Sequence, residues 1–199
     1  MNQENQYTLI FFLQCWLNEA ISNSSIFLEN IDQPLSFENN FHKRRMFDEH
    51  YVLTATVMSV RYSKQVVNHT RKGLKEHIKK FIETTIDAVD VRDMREHSDE
   101  YFIGKGKKKD EFYKGSSQNI QCDMSSSIKN ENGYMLGNLI AMELILDECK
   151  SLLKHIDKYM EENQPQPKGS PKGSDVEYPQ NSCYNTFKKR NTSCQENQE

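Results

Sequence analysis

The chain has 199 residues, 36% of them hydrophobic and 28% charged, and a formal net charge of −3. That length fits one domain with an appended tail, and a mildly acidic balance excludes a generally polycationic nucleic-acid binder. Five cysteines, odd in number and without metal-ligand spacing, read as reduced thiols of a cytoplasmic protein rather than as a disulfide framework.

The first predicted helix covers residues 6–29, with Leu9, Phe12, Leu13, Trp16, Leu17, Ala20 and Ile21 at helical spacing. Its apolar run over residues 8–17 has the flavour of a secretion signal. It lacks a positive leading region, however, has Glu4 where lysine is expected, and is too short to span a bilayer, so no membrane partner is expected. Pro34 and a polar stretch end this element. A second helix is predicted over residues 41–69, with Phe47, Tyr51, Thr54, Met58, Arg61 and Tyr62 along one stripe. A further apolar row, Leu53, Val57 and Val60, implies contact with more than one neighbour.

Gly73 marks the start of a third helix, whose positions Leu74, Ile78, Phe81, Ile82, Thr85, Ile86 and Val89 step by three and four. The apolar stripe is expected to stop there, before the charged run 91–100 and the glycine–lysine loop that holds Lys105, Lys107, Lys108 and Lys109. Between residues 118 and 136 the pattern turns β-leaning, and Asn132-Gly133 signals a turn, which predicts a short hairpin or extended flap. The last helix is expected over residues 138–160. From residue 161 onward the chain holds four of its five prolines and almost no aliphatic side chains, a composition that cannot offset its ordering entropy. The predicted architecture is all-α: a bundle of four main helices over residues 1–160, with a hairpin or flap insertion, followed by a disordered C-terminal tail over 161–199.

Chemistry is sought first in arginine and histidine. Arginine offers a fixed, permanently charged fork for a phosphate, and histidine gives and takes protons near neutrality. Arg92 and His97 lie five residues apart, but so do Arg45 and His50, while Arg44–His50 and Arg71–His77 are one residue wider. Context favours Arg92 and His97. Asp93 is four residues before the histidine, on the same helical face, and could hydrogen-bond the imidazole and fix its tautomer. The lysine loop follows within about ten residues, a basic patch suited to a phosphate-bearing partner. Five residues at about 100° each put the two side chains about 140° apart, so a single regular helix would splay them. A symmetric dimer would bring two copies of the helix end together. Against this stands a plainer reading, an exposed helix end laced by Arg92–Glu96 and Arg95–Asp99 pairs.

Residues 92–97, with Asp93 directly after the arginine, resemble the Arg-x4-His signature of HEPN domains, and the likeness extends over roughly residues 40–160. The resemblance implies a helical bundle that dimerises around the motif and acts as a metal-independent endoribonuclease, in a toxin–antitoxin pair or in phage defence. Arg92 would hold the scissile phosphate, His97 would transfer the proton as the RNA 2′-hydroxyl attacks, and Asp93 would orient His97. Arg95, Tyr101 and the four loop lysines would contact RNA. No metal or other cofactor is implied. In some related toxins a nucleotidyltransferase modifies a tyrosine two residues after the histidine. Asp99 occupies that position here, with Tyr101 the nearest tyrosine, so an antitoxin or nucleotidyltransferase partner is an open expectation. Two alternatives stay open: a non-catalytic HEPN-like module that binds nucleotide or protein, and a helical bundle outside this family.

Overall fold

Four long helices close a ring around one apolar core: α1 (Gln3–Asn30), α2 (Asn40–Val66), α3 (Lys72–Thr85) and a final helix, α7 (Met142–Asn163). The architecture is described by a computed structural model that covers residues 3–32, 40–112, 115–117 and 120–163, with side chains over 5–32, 44–112 and 123–163. Helix α1 packs on α2 and α7, and α3 packs on the same two helices. Polar ties fix the antiparallel directions. Gln6, early in α1, donates to the His69 carbonyl just past α2 at 2.7 Å. Gln14 donates to Asp157 of α7 at 2.7 Å, and Lys80 of α3 to Glu148 of α7 at the same distance.

The buried seam of α1 is Ile10, Leu13, Leu17, Ala20, Ser24 and Phe27, alternating steps of three and four so that one face stays on the core. Phe12, expected inside, is exposed and stacks on Tyr62 of α2 at 5.7 Å. In α2 both predicted stripes meet neighbours along part of their length: Thr54, Met58 and Tyr62 of the first are half-buried, with Tyr62 packed against the core. Leu53, Val57 and Val60 are buried, whereas Phe47 and Tyr51 stand 57% and 59% exposed. Small buried residues on the core side, Ala55, Thr56, Ser59 and Ser63, let neighbouring helices approach closely. Thr56 and Ser59 satisfy their hydroxyls on the carbonyls four residues back, at 2.8 and 2.9 Å.

The third predicted helix is nicked. α3 ends at Thr85, whose hydroxyl bonds the Phe81 carbonyl, and α4 (Asp87–Glu96) restarts after Ile86. The buried row then slides from Thr85 to Ala88, Val91 and Met94, leaving Ile86 outside. The core stripe thus runs on through the charged segment instead of stopping at Val89. It passes beneath α5 (Ser98–Phe102), where Tyr101 is buried, and reaches Phe112 in α6 (Lys109–Phe112).

The predicted hairpin is present as two small sheets. β1 (Gly115–Ser117) pairs antiparallel with β2 (Ile120–Cys122). β3 (Ser127–Asn130), β4 (Gly133–Leu136) and β5 (Ile140–Ala141) form a second antiparallel sheet, in register Lys129 to Tyr134 and Leu136 to Ile140. Glu131 and Asn132 form the tip, and the positive φ of +106° falls on Gly133. The turn is therefore not the doubly left-handed form that an Asn-Gly tip suggests. The Glu143 side chain accepts the Tyr134 N–H, which seats the sheet on the start of α7.

Two features of α7 recur below. Cys149 is fully buried, and burial pushes its thiol up to about 12, with Glu148 adding to the shift. His155 stacks face to face on His77 of α3, with ring centroids 3.3 Å apart. Helix α7 continues through Asn163, so residues 161–163 of the expected tail are helical, and 164–199 lie outside the described residues. Among the described residues no helix is long and apolar enough to cross a membrane.

Candidate functional site

Helix α4 carries Asp87 and Asp90 in its first turn and Arg95 in its last, in keeping with the helix dipole. Val91 and Met94 are buried, which holds Arg92 and Asp93 on the outer side. The helix stops at Glu96. His97 leaves helical geometry at φ −111° and ψ 25°, and its N–H still reaches the Asp93 carbonyl at 3.2 Å. His97 is thus a joint between α4 and α5, with its side chain 53% exposed.

The two motif residues face different carboxylates. Arg92 forms an ion pair with Glu96, one turn on, through Nη2, while its buried Nε meets no acceptor among the described residues. The carboxylate beside His97 belongs to Glu100, 3.7 Å from Nδ1. Asp93 makes no hydrogen bond to the imidazole, and its charge acts instead on Lys108.

Arg95 is turned inward. At 7% exposure it donates to Glu49 of α2 at 2.8 Å, to Ser127 Oγ at 2.7 Å and to the Ser126 carbonyl at 3.1 Å. Glu49, 4% exposed, also accepts from Ser127, from the Tyr134 hydroxyl and from Arg45. Arg95 was expected on a nucleic-acid surface. It is instead the pin that joins α2, α4 and the β3–β4 hairpin. Burial and the neighbouring Glu49 charge hold the Tyr134 hydroxyl well above the ordinary tyrosine range.

Tyr101, also expected to touch RNA, is buried and stacks on Phe112 with centroids 4.6 Å apart and planes within 2°. Gly106 lies against that ring. A Cβ there would sit 2.1 Å from it, so only glycine lets the lysine loop close over Tyr101. In the loop, Lys105, Lys107 and Lys109 are exposed. Lys108 is bonded to Asp90 at 2.7 Å, and that bond holds its ammonium above the usual lysine value. Partial burial works against the shift, while the charges of Asp90, Glu111 and Asp93 add to it.

Two residues that the sequence reading set aside or missed are brought to the motif. His50 of α2 places Nε2 3.7 Å from the same Glu96 oxygen that Arg92 pairs with, and Glu49 beside it anchors Arg95. The signal for His50 was its five-residue spacing from Arg45, but in space it faces Glu96, 46 positions away and shared with Arg92, a pairing that no local pattern encodes. Compared with family models, curated proteins and solved structures, the chain finds no match in any of the three.

Proposed function

We propose that this protein is a metal-independent endoribonuclease of HEPN type, which cleaves RNA by attack of a 2′-hydroxyl on the adjacent phosphorus in a cleft formed by two copies of the chain. The observation that carries the reading is the end of α4. Arg92 lies within the helix and His97 just beyond it, in non-helical geometry and open to solvent. Within one copy the two side chains face different carboxylates, Glu96 and Glu100, so the pair would converge only across two copies of the helix end. Arg92 would bind the scissile phosphate and stabilise its developing charge, and His97 would move the proton. Lys105, Lys107 and Lys109 would hold the RNA backbone, with Lys108 tied to Asp90 beside them. Arg95 and Tyr101 support the site from inside.

The dimer is supported by the outer face of α2. Met46 and Phe47 lie one turn before His50 and Tyr51 follows it, all three largely exposed. An apolar stripe beside the motif suits an isologous contact. A toxin or phage-defence role, with an antitoxin or nucleotidyltransferase as partner, belongs to the same proposal. One observation favours a second reading, a non-catalytic module that binds nucleotide or protein: Arg92 is already engaged by Glu96.

The test is cleavage of a fluorogenic RNA in EDTA. The wild type should release fragments that end in a cyclic phosphate, while Arg92→Ala and His97→Ala should each lose about 100-fold or more in rate, the scale of an acid–base or charge-stabilising group. Equal cleavage by both variants and wild type would remove the assignment. Binding without cleavage would favour the second reading.

A further inference from the structure

Arg92 and Glu96 belong to α4, but the third member of their cluster comes from α2. Arg92 Nη2 and His50 Nε2 both address one atom, Oε1 of Glu96. The side chains of Arg92, Glu96 and His50 are 24%, 30% and 37% exposed, so the cluster opens to solvent without being fully hydrated. One terminal guanidinium nitrogen and, at 3.7 Å, an imidazole nitrogen converge on a single anionic oxygen, a donor set that also suits a phosphate oxygen. The carboxylate occupies that place as an internal anion.

The fit of the carboxylate is incomplete. Glu96 engages the terminal nitrogen of Arg92 but leaves Nε buried without an acceptor among the described residues. A tetrahedral anion presents several oxygens, and one of them could reach Nε while another took the position of Oε1. A half-satisfied guanidinium is costly where water is scarce, and this favours exchange of the carboxylate for a better-matched anion. Glu96 is also the last residue of α4, followed by the His97 joint, so its side chain can swing out without unwinding the helix. The other arginines near His50 are committed elsewhere: Arg44 to Asp48, and Arg45 to Glu49 and Tyr134.

We propose that Arg92 and His50 form a cradle for one phosphate group and that Glu96 is its built-in competitor, displaced when the phosphate enters. The inference rests on the reading of Arg92 as the phosphate-binding arginine of an RNA-cleaving site, and it adds a second histidine and a self-blocked resting state to that reading. His50 is a binding residue here, and no bond is made or broken by the exchange.

The test titrates the full chain with inorganic phosphate, and separately with an oligonucleotide that lacks 2′-hydroxyls and so cannot be cleaved. The His50 ring signals are followed by NMR and assigned by their loss in His50→Gln. Phosphate should move those signals in the wild type. Glu96→Gln should tighten binding by roughly two- to five-fold, the size of a partly exposed ion pair removed from competition, and should raise the rate of RNA cleavage. Arg92→Lys should weaken binding while the chain stays folded. If the His50 signals stay still, or if Glu96→Gln binds no more tightly than wild type, the cradle is overturned. Normal cleavage with a flat phosphate titration defeats the cradle alone. A positive titration with no cleavage in any variant supports the cradle and defeats the nuclease reading.

Discussion

Glu49 holds a carboxylate at 4% exposure, and it is tolerated there because Arg95, Ser127, Tyr134 and Arg45 surround it with donors. A buried ion is stable only while its partners remain. Glu49→Ala should therefore destabilise the fold by about 3–5 kcal/mol, because Arg95 is left charged and buried, and urea denaturation would read the change. Tyr134→Phe removes one donor and leaves the ion pair intact, and should lose only about 1–3 kcal/mol. Little of this was legible from local sequence. Arg95 and Glu49 are 46 residues apart, and Tyr134 is 85 from Glu49, so neither pairing leaves a periodic trace. Arg95 looked like a surface cation because its neighbours Arg92, Asp93 and Glu96 are polar. Only the burial of Met94 and Val91, which sets the rotation of the helix, reveals which arginine turns inward.

At the level of elements, the long amphipathic helices were readable because burial imposes a period of 3.6, and a long helix repeats it many times. What could not be read was which of two apolar stripes faces the core. In α2 the row of Leu53, Val57 and Val60 is the fully buried one, while Phe47 and Tyr51 at the start of the aromatic row lie outside. The nick at Ile86 was equally silent, because the row 82, 86, 89 keeps perfect helical spacing across it. The α3–α7 contact makes a prediction of its own. Burial first, then the charges of His77, Lys154 and Lys158, hold the His155 pKa below its ordinary 6.5. The unfolded chain therefore takes up the proton more readily than the folded one. The stability linked to this group is complete above pH 6.5 and is lost as pH falls from 6.5 toward the lower folded-state value. The urea midpoint should drop across that interval in the wild type and drop less in His155→Gln. A midpoint equally pH-dependent in both chains would show that another group is responsible.

For the whole molecule, the ring of α1, α2, α3 and α7 buries the core but leaves Met46, Phe47 and Tyr51 in solvent beside the motif. Sedimentation equilibrium should find a dimer at micromolar concentration. Phe47→Asp combined with Tyr51→Asp should shift it to monomer with an unchanged helical circular dichroism spectrum, because neither residue supports the core of one copy. A wild-type monomer would remove the two-copy cleft. The bundle class followed from composition and period, the hairpin from its glycine and β-leaning residues. Arg92, His97, the Arg92–Glu96 pair and the loop lysines were legible because they lie close in sequence, whereas His50 arrives from α2 through tertiary packing.

Cys149 gives the molecule a clock. A thiol reagent attacks the thiolate, and this sulfur is both fully enclosed and held protonated by its surroundings, with a pKa near 12. It can be alkylated only when α7 lifts away from α1 and α3. Its labelling rate, read by mass spectrometry on the peptide that contains it, therefore times the opening of the ring itself. Ligands that bind only the closed form should slow that clock in proportion to their occupancy, a readout of binding taken far from the Arg92 cluster and independent of any cleavage.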